Sequence, residues 1–208
     1  MIVNENFFSD PLYRDTYLEA RGFSKDGSRT GGIVDPRKVV IPAGTVLGRF
    51  FQSAKGRYGQ WWWTMAEMDT IVAYFGRYGT DPDAGGFGTG RKEGKGIVQG
   101  TLAVRADWRE SGSTVAEHME HFCFGRTTCE IMAFYGEGDV APSSDQRSVL
   151  KPVQIADASG TRRGARQLYL PKLWTYDTAI TIIEEGTSDS DLLAALTRQS
   201  NGALYFET

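Results

Sequence analysis

The sequence predicts a single α+β domain with a split, mixed β core and few helices, and three observations carry that prediction. A chain of 208 residues has the length of one generous domain. Short alternating or β-branched runs outnumber the helical segments, and the connections between them are irregular. No repeat, heptad series or linker divides the chain, so residues 1–208 read as one unit.

Each element has a local reason. Residues 1–35 are polar and turn-rich and read as an N-terminal extension, with one helix over 11–20 and a loop over 22–32. Residues 39–42 and 43–51 predict two short strands around a Pro42-Ala43-Gly44 turn. The stretch 53–60 is a loop, and Trp61, Trp62 and Trp63 suit a strand covered on both faces. From Thr64 the period changes. Met65, Met68, Val72 and Phe75 form one stripe, and Thr64 with Glu67 has the form of a capping box, so a helix is expected over 65–75. Gly76 and Gly79 would stop it. Further strands are expected at 96–106, 129–135, 151–156, 166–171 and 178–184, with 117–125 compatible with more than one state and 136–148 a loop. A last helix over 191–199 runs to Asn201-Gly202, a stop signal.

Charge and composition exclude several classes. With 23 Lys+Arg against 26 Asp+Glu the net charge is −3, so no basic field favours nucleic acid or an anionic membrane. No apolar run approaches the ~20 residues of a membrane span. The opening MIVNENFFSD lacks a secretory pattern, and the expectation is a cytoplasmic protein, with a dedicated export system as the other route. Two cysteines make no disulfide scaffold. Glycine, at 25 residues, is well above the usual ~7%. Nine glycines fall between Gly76 and Gly100, a loop of the length that serves a function or moves.

Most familiar chemistries find no motif. His118, His121, Cys123 and Cys129 are close in sequence but match no zinc spacing, and no metal is expected. No Gly-x-Ser-x-Gly elbow occurs, and a thiol nucleophile at Cys123 or Cys129 competes with a plain core role. The 76–100 loop is neither a Walker motif nor a dinucleotide fingerprint, although Arg91, Lys92 and Lys95 among its glycines would suit an anion.

The stretch from residue 41 to residue 75 is more specific. Arg49 ends a hydrophobic strand, then come Gly56-Arg57-Tyr58-Gly59, the tryptophans, Thr64 and the helix. A guanidinium at a strand end suits a fork for phosphate, and the flanking aromatics could stack on a flat heteroaromatic ring.

This order, Pro42-x-Gly44-Thr45-x-Leu47-x-Arg49-Phe50, then Gly56-Arg57-Tyr58, then aromatics with Thr64, resembles the opening of an ADP-ribosyltransferase-type domain. Within that superfamily it is similar to NAD glycohydrolase toxins of the tuberculosis-necrotizing-toxin type. Gln167, within Gly164-Ala165-Arg166-Gln167-Leu168-Tyr169-Leu170-Pro171, stands where those toxins carry a functional glutamine. The resemblance implies an ADP-ribosyltransferase-like fold and cleavage of the nicotinamide–ribose bond of NAD, which is substrate rather than resident cofactor. It implies that Arg49 holds the pyrophosphate or ribose and that Thr64 orders the cleft. Phe50, Tyr58, Trp61, Trp62 and Trp63 would wall the nicotinamide, and Gln167 would steady the developing cation. Glu137, Glu184 and Glu185 remain open as the carboxylate. A toxin or effector of this kind would have NAD, and a protein acceptor or immunity protein, as partners. The competing reading is a non-catalytic module whose Trp61–Trp63 surface binds carbohydrate or protein.

Overall fold

In the computed structural model, residues 11–23, 27, 32–51, 57–70, 95–98, 101–105, 121–139, 150–152, 154–156, 162–171, 179–187 and 189–200 are described. They contain both helix and strand, the helices are few, and every strand pairing is antiparallel. The strands are β1 (Gly32–Ile33), β2 (Arg37–Ile41), β3 (Val46–Phe51), β4 (Trp61–Thr64), β5 (Lys95–Val98), β6 (Thr101–Arg105) and β7 (His121–Thr127). They continue as β8 (Ile131–Asp139), β9 (Leu150–Pro152), β10 (Gln154–Ala156), β11 (Arg162–Gly164), β12 (Arg166–Tyr169) and β13 (Ile180–Gly186). The helices are α1 (Pro11–Ala20), α2 over residues 65–70, and α3 (Asp189–Ser200).

The main sheet has eight strands in the order β1-β8-β12-β4-β3-β7-β13, with β2 also on β8. Its construction follows from one long ribbon. β2 pairs with β8 from Arg37↔Tyr135 to Ile41↔Ile131, and β3 pairs with β7 from Val46↔Arg126 to Phe51↔His121, in the same register. Residues 37–51 and 121–135 are therefore one antiparallel ribbon, bent where Pro42-Ala43-Gly44 lies. Gly44 adopts φ 85°, a conformation that glycine takes at no steric cost. The bend is pinned by Thr127, whose hydroxyl donates to Pro42 O at 2.7 Å and accepts from Thr45 N at 2.9 Å. β12 takes the other side of β8, and β4 joins β12 to β3. That path closes the sheet on itself and gives it an inside.

Closure explains a core that needs no helix. Ile41, Leu47, Trp62, Cys123, Ile131, Ala133, Leu168 and Ile180 are buried together on the inner face, and among the described residues no helical one joins them. The outer face is covered in two parts. α1 lays Tyr13, Tyr17 and Ala20 over Ile33, Phe134 and Tyr169. α2 and α3 lay Met65, Met68, Leu192, Ala195 and Leu196 over Val46, Phe50, Trp63, Phe122 and Phe124.

The helix ends are set locally. Pro11 opens α1 and Gly22, at φ 82°, closes it, with Phe23 N on Leu18 O and Gly22 N on Glu19 O, both 2.9 Å. Thr64 Oγ1 accepts Glu67 N at 3.2 Å and so caps α2. The Glu67 carboxylate turns to the sheet and accepts Arg166 N at 2.7 Å.

Several strands differ from the sequence reading. The single strand expected at 96–106 is a hairpin, β5 and β6, with Val98 opposite Thr101. That expected at 151–156 is two strands in two different small sheets, β5-β6-β9 and β10-β11. β8 runs on through Gly136–Asp139, where a loop was expected, because β1 and β12 hold both its sides there. Most of the 76–100 loop, the second half of the 65–75 helix and the Asn201-Gly202 stop lie outside the described residues. No helix among the described residues is long and apolar enough to cross a membrane.

Candidate functional site

Three consecutive tryptophans enter three different clusters. Strand alternation sends Trp62 to the inside, where it is 1% exposed, and sends Trp61 and Trp63 outward. Trp61 then packs edge-on to Tyr169 at 4.8 Å in the α1 cluster, while Trp63 meets Phe50 at 4.8 Å under α2 and α3. Of the expected aromatic wall, Trp61, Trp63 and Phe50 are therefore core of the outer face. Of that wall, the Trp62 ring faces the Arg49 guanidinium, and Tyr58 precedes the Gly59 that lies over it.

Arg49 points inward, opposite Cys123 on β7. Its Nη1 donates to Trp61 O at 2.6 Å, its Cζ lies 6.0 Å from the Trp62 ring centroid, and its Nε is sealed from solvent with no partner among the described residues. Gly59 lies directly over the guanidinium, in the space a Cβ would need. Desolvation lowers the Arg49 pKa to about 10, still cationic at neutral pH; the facing Cys123 opposes that shift. Burial pushes the Cys123 thiol up to about 12, against the pull of Arg49. At neutral pH the thiol is neutral and does not balance the guanidinium. Among the described residues no carboxylate pairs with Arg49, and a buried cation so placed is a costly arrangement and an invitation to an anion.

The row continues outward to a carboxylate. Cys123 is opposite Glu185 on β13, and Arg57 Nη1 donates to both Glu185 oxygens at 3.1 Å. Glu185 reaches this face because the β7–β13 register shifts between Ile182 and Glu184. The bulge lets both Ile183 and Glu184 serve the outer face, so the next residue turns in. Ile183 packs on the α3 cluster and Glu184 binds Arg198 and Gln199 of α3. At the end of β3, Phe51 stacks on His121 at 5.3 Å and 20°.

Gln167 and Thr64 do not join Arg49. Gln167 is fully buried on the outer face, and its Nε2 donates to Gly32 O at 3.2 Å. Thr64 spends its hydroxyl on the α2 cap. Tyr58 is 37% exposed beside Gly59. Glu137 is exposed on β8 opposite Arg166, away from this row. The sequence reading did not place Arg57 or Cys123 in the site. Arg57 had a signal, its place between Gly56 and Tyr58; Cys123 had none, since only register brings it opposite Arg49. Among the described residues no group of three His, Cys, Asp or Glu side chains could hold a metal, and His118 lies outside them. No family model matches the chain, and no curated protein or solved structure matches it.

Proposed function

We propose that the protein is an ADP-ribosyltransferase-like enzyme that cleaves the nicotinamide–ribose bond of NAD, a glycohydrolase with transfer to a protein as its variant, acting as a toxin or effector. The observation that carries the reading is the row Arg49–Cys123–Glu185 on one face: a desolvated guanidinium and a carboxylate separated by one strand. A dinucleotide needs that pair of charges. The cations Arg49 and Arg57 would take its diphosphate, since a guanidinium fork matches phosphate geometry. When the glycosidic bond breaks, its electron pair passes to the pyridinium nitrogen and leaves neutral nicotinamide. The ribose becomes oxocarbenium-like, and Glu185 stabilises that charge before water adds and loses its proton. Glu185, rather than Gln167, takes the stabilising role here, and a carboxylate serves a cation better than a neutral amide does.

The test is nicotinamide release from NAD by the purified chain. Glu185→Gln is expected to lower kcat by about 100-fold or more, and Arg49→Lys to raise KM, with both variants folded by circular dichroism. Gln167→Ala is expected to lower stability and leave turnover per folded molecule intact. An inert wild-type protein, or equal turnover by wild type and Glu185→Gln, would sink the reading. For the binding-module alternative the tryptophans leave only the half-buried Trp61, because Trp62 and Trp63 are 1% and 2% exposed.

A further inference from the structure

Residues Arg57-Tyr58-Gly59-Gln60 lie across the Arg49 guanidinium and are fastened unequally at their two ends. Toward β4 the fastenings are sheltered: Trp62 Nε1 donates to Gly59 O at 2.7 Å, and Leu170 N donates to Gln60 O at 2.8 Å. Toward β13 the segment hangs on the Arg57–Glu185 ion pair, with both side chains 49% exposed, and on a long contact from Cys123 Sγ to Arg57 O at 4.0 Å. Exposed ion pairs hold little. At the centre Gly59 occupies the side of the guanidinium where its own Cβ would strike Cζ and both terminal nitrogens. An anion cannot sit there until Gly59 moves, and the weak end determines which way it moves.

We propose that residues 57–60 form a strap latched by Arg57 and Glu185, and that a ligand with two linked anionic groups opens it. One group draws Arg57 off Glu185; the other then reaches Arg49 beneath the lifted Gly59. Opening also frees the Glu185 carboxylate. The strap accounts for two features together: a cation buried without an anion among the described residues, and an exposed carboxylate occupied by an arginine. Taking the ligand to be a dinucleotide's diphosphate rests on the proposed function, but the strap itself does not require turnover.

Inorganic diphosphate and orthophosphate, titrated into the 208-residue chain at constant ionic strength, are suitable probes. Tryptophan fluorescence reports binding beside Trp62, and amide hydrogen exchange reports the strap. Diphosphate is expected to bind at least about tenfold more tightly than orthophosphate, because two cations grip it. Glu185→Gln unlatches the strap, so exchange over 57–62 should rise and diphosphate should bind about two- to fivefold more tightly. Arg57→Gln also unlatches it but removes a grip, so exchange should rise while diphosphate affinity falls. Opposite affinity changes with the same exchange change are the signature. Tighter binding by Glu185→Gln with unchanged exchange is plain electrostatics and overturns the strap, as does no diphosphate binding at all. NAD is absent from this experiment, so an inert strap leaves the glycohydrolase reading standing, and lost NAD turnover leaves the strap standing.

Discussion

Cys123 and Cys129 show how far one strand position governs chemistry. Cys123 is fully buried opposite Arg49, and its thiol is pushed up to about 12 from 9.0, chiefly by burial. Cys129 lies past the end of β7 and is partly exposed. Iodoacetamide at pH 8 should therefore modify Cys129 in the native protein and spare Cys123, with mass spectrometry reading the sites. Above pH 9.0 the unfolded thiol ionises while the folded one stays protonated. That raised pKa contributes stability present below pH 9.0 and lost progressively toward about 12. Cys123→Ala should flatten this alkaline loss of stability in denaturant titrations. Gly59 is the other decisive residue. Its missing side chain makes room for the guanidinium, so Gly59→Ala should displace Arg49 and change tryptophan fluorescence through Trp62.

Among the elements, the ribbon bend and the α3 contact make separate claims. Thr127 Oγ1 both donates to Pro42 O and accepts Thr45 N, so Thr127→Val leaves Thr45 N with only its long 3.4 Å bond to Pro42 O. A loss of about 1–3 kcal/mol in urea unfolding is expected. α3 is tied to β13 by Glu184, whose carboxyl is held below the usual carboxylate range first by the Arg198 hydrogen bond and further by Gln199. A lowered folded-state pKa gives stability present above the unfolded value of 4.5 and lost as pH falls below it. Glu184→Gln should therefore destabilise the protein at pH 7 and cost progressively less as pH falls below 4.5, measured by thermal melts across that range. Local pattern made several elements legible. The Thr64–Glu67 spacing acts within one turn of helix, and α1, α2 and α3 stand where helices were expected near 11–20, 65–75 and 191–199. The β5–β6 hairpin was not legible as two strands, because its two halves continue one apolar pattern. β1 and β11, two and three residues long, have no periodicity to read.

For the whole molecule the closed sheet makes Trp62 central. Its indole fills the inner face, lies close to Gly125 and Ile180, and holds Gly59 O. Trp62→Ala should cost about 3–5 kcal/mol, far more than an exposed substitution such as Leu193→Ala, whose side chain is 53% exposed. The amino-acid order by itself determined where strands and helices lie near residues 11–20, 39–51, 61–70 and 191–199, because alternation, caps and turn residues act over a few positions. It also put Arg49 in a hydrophobic strand beside aromatics, although Arg49 lies within β3, two residues before its end at Phe51. Tertiary structure alone decided which residues meet. A strand's two faces are equivalent until it has neighbours, so register sent Gln167 outward and Trp62 inward. One bulge in β13 then chose between adjacent glutamates, giving Glu184 to α3 and Glu185 to the face that carries Arg49.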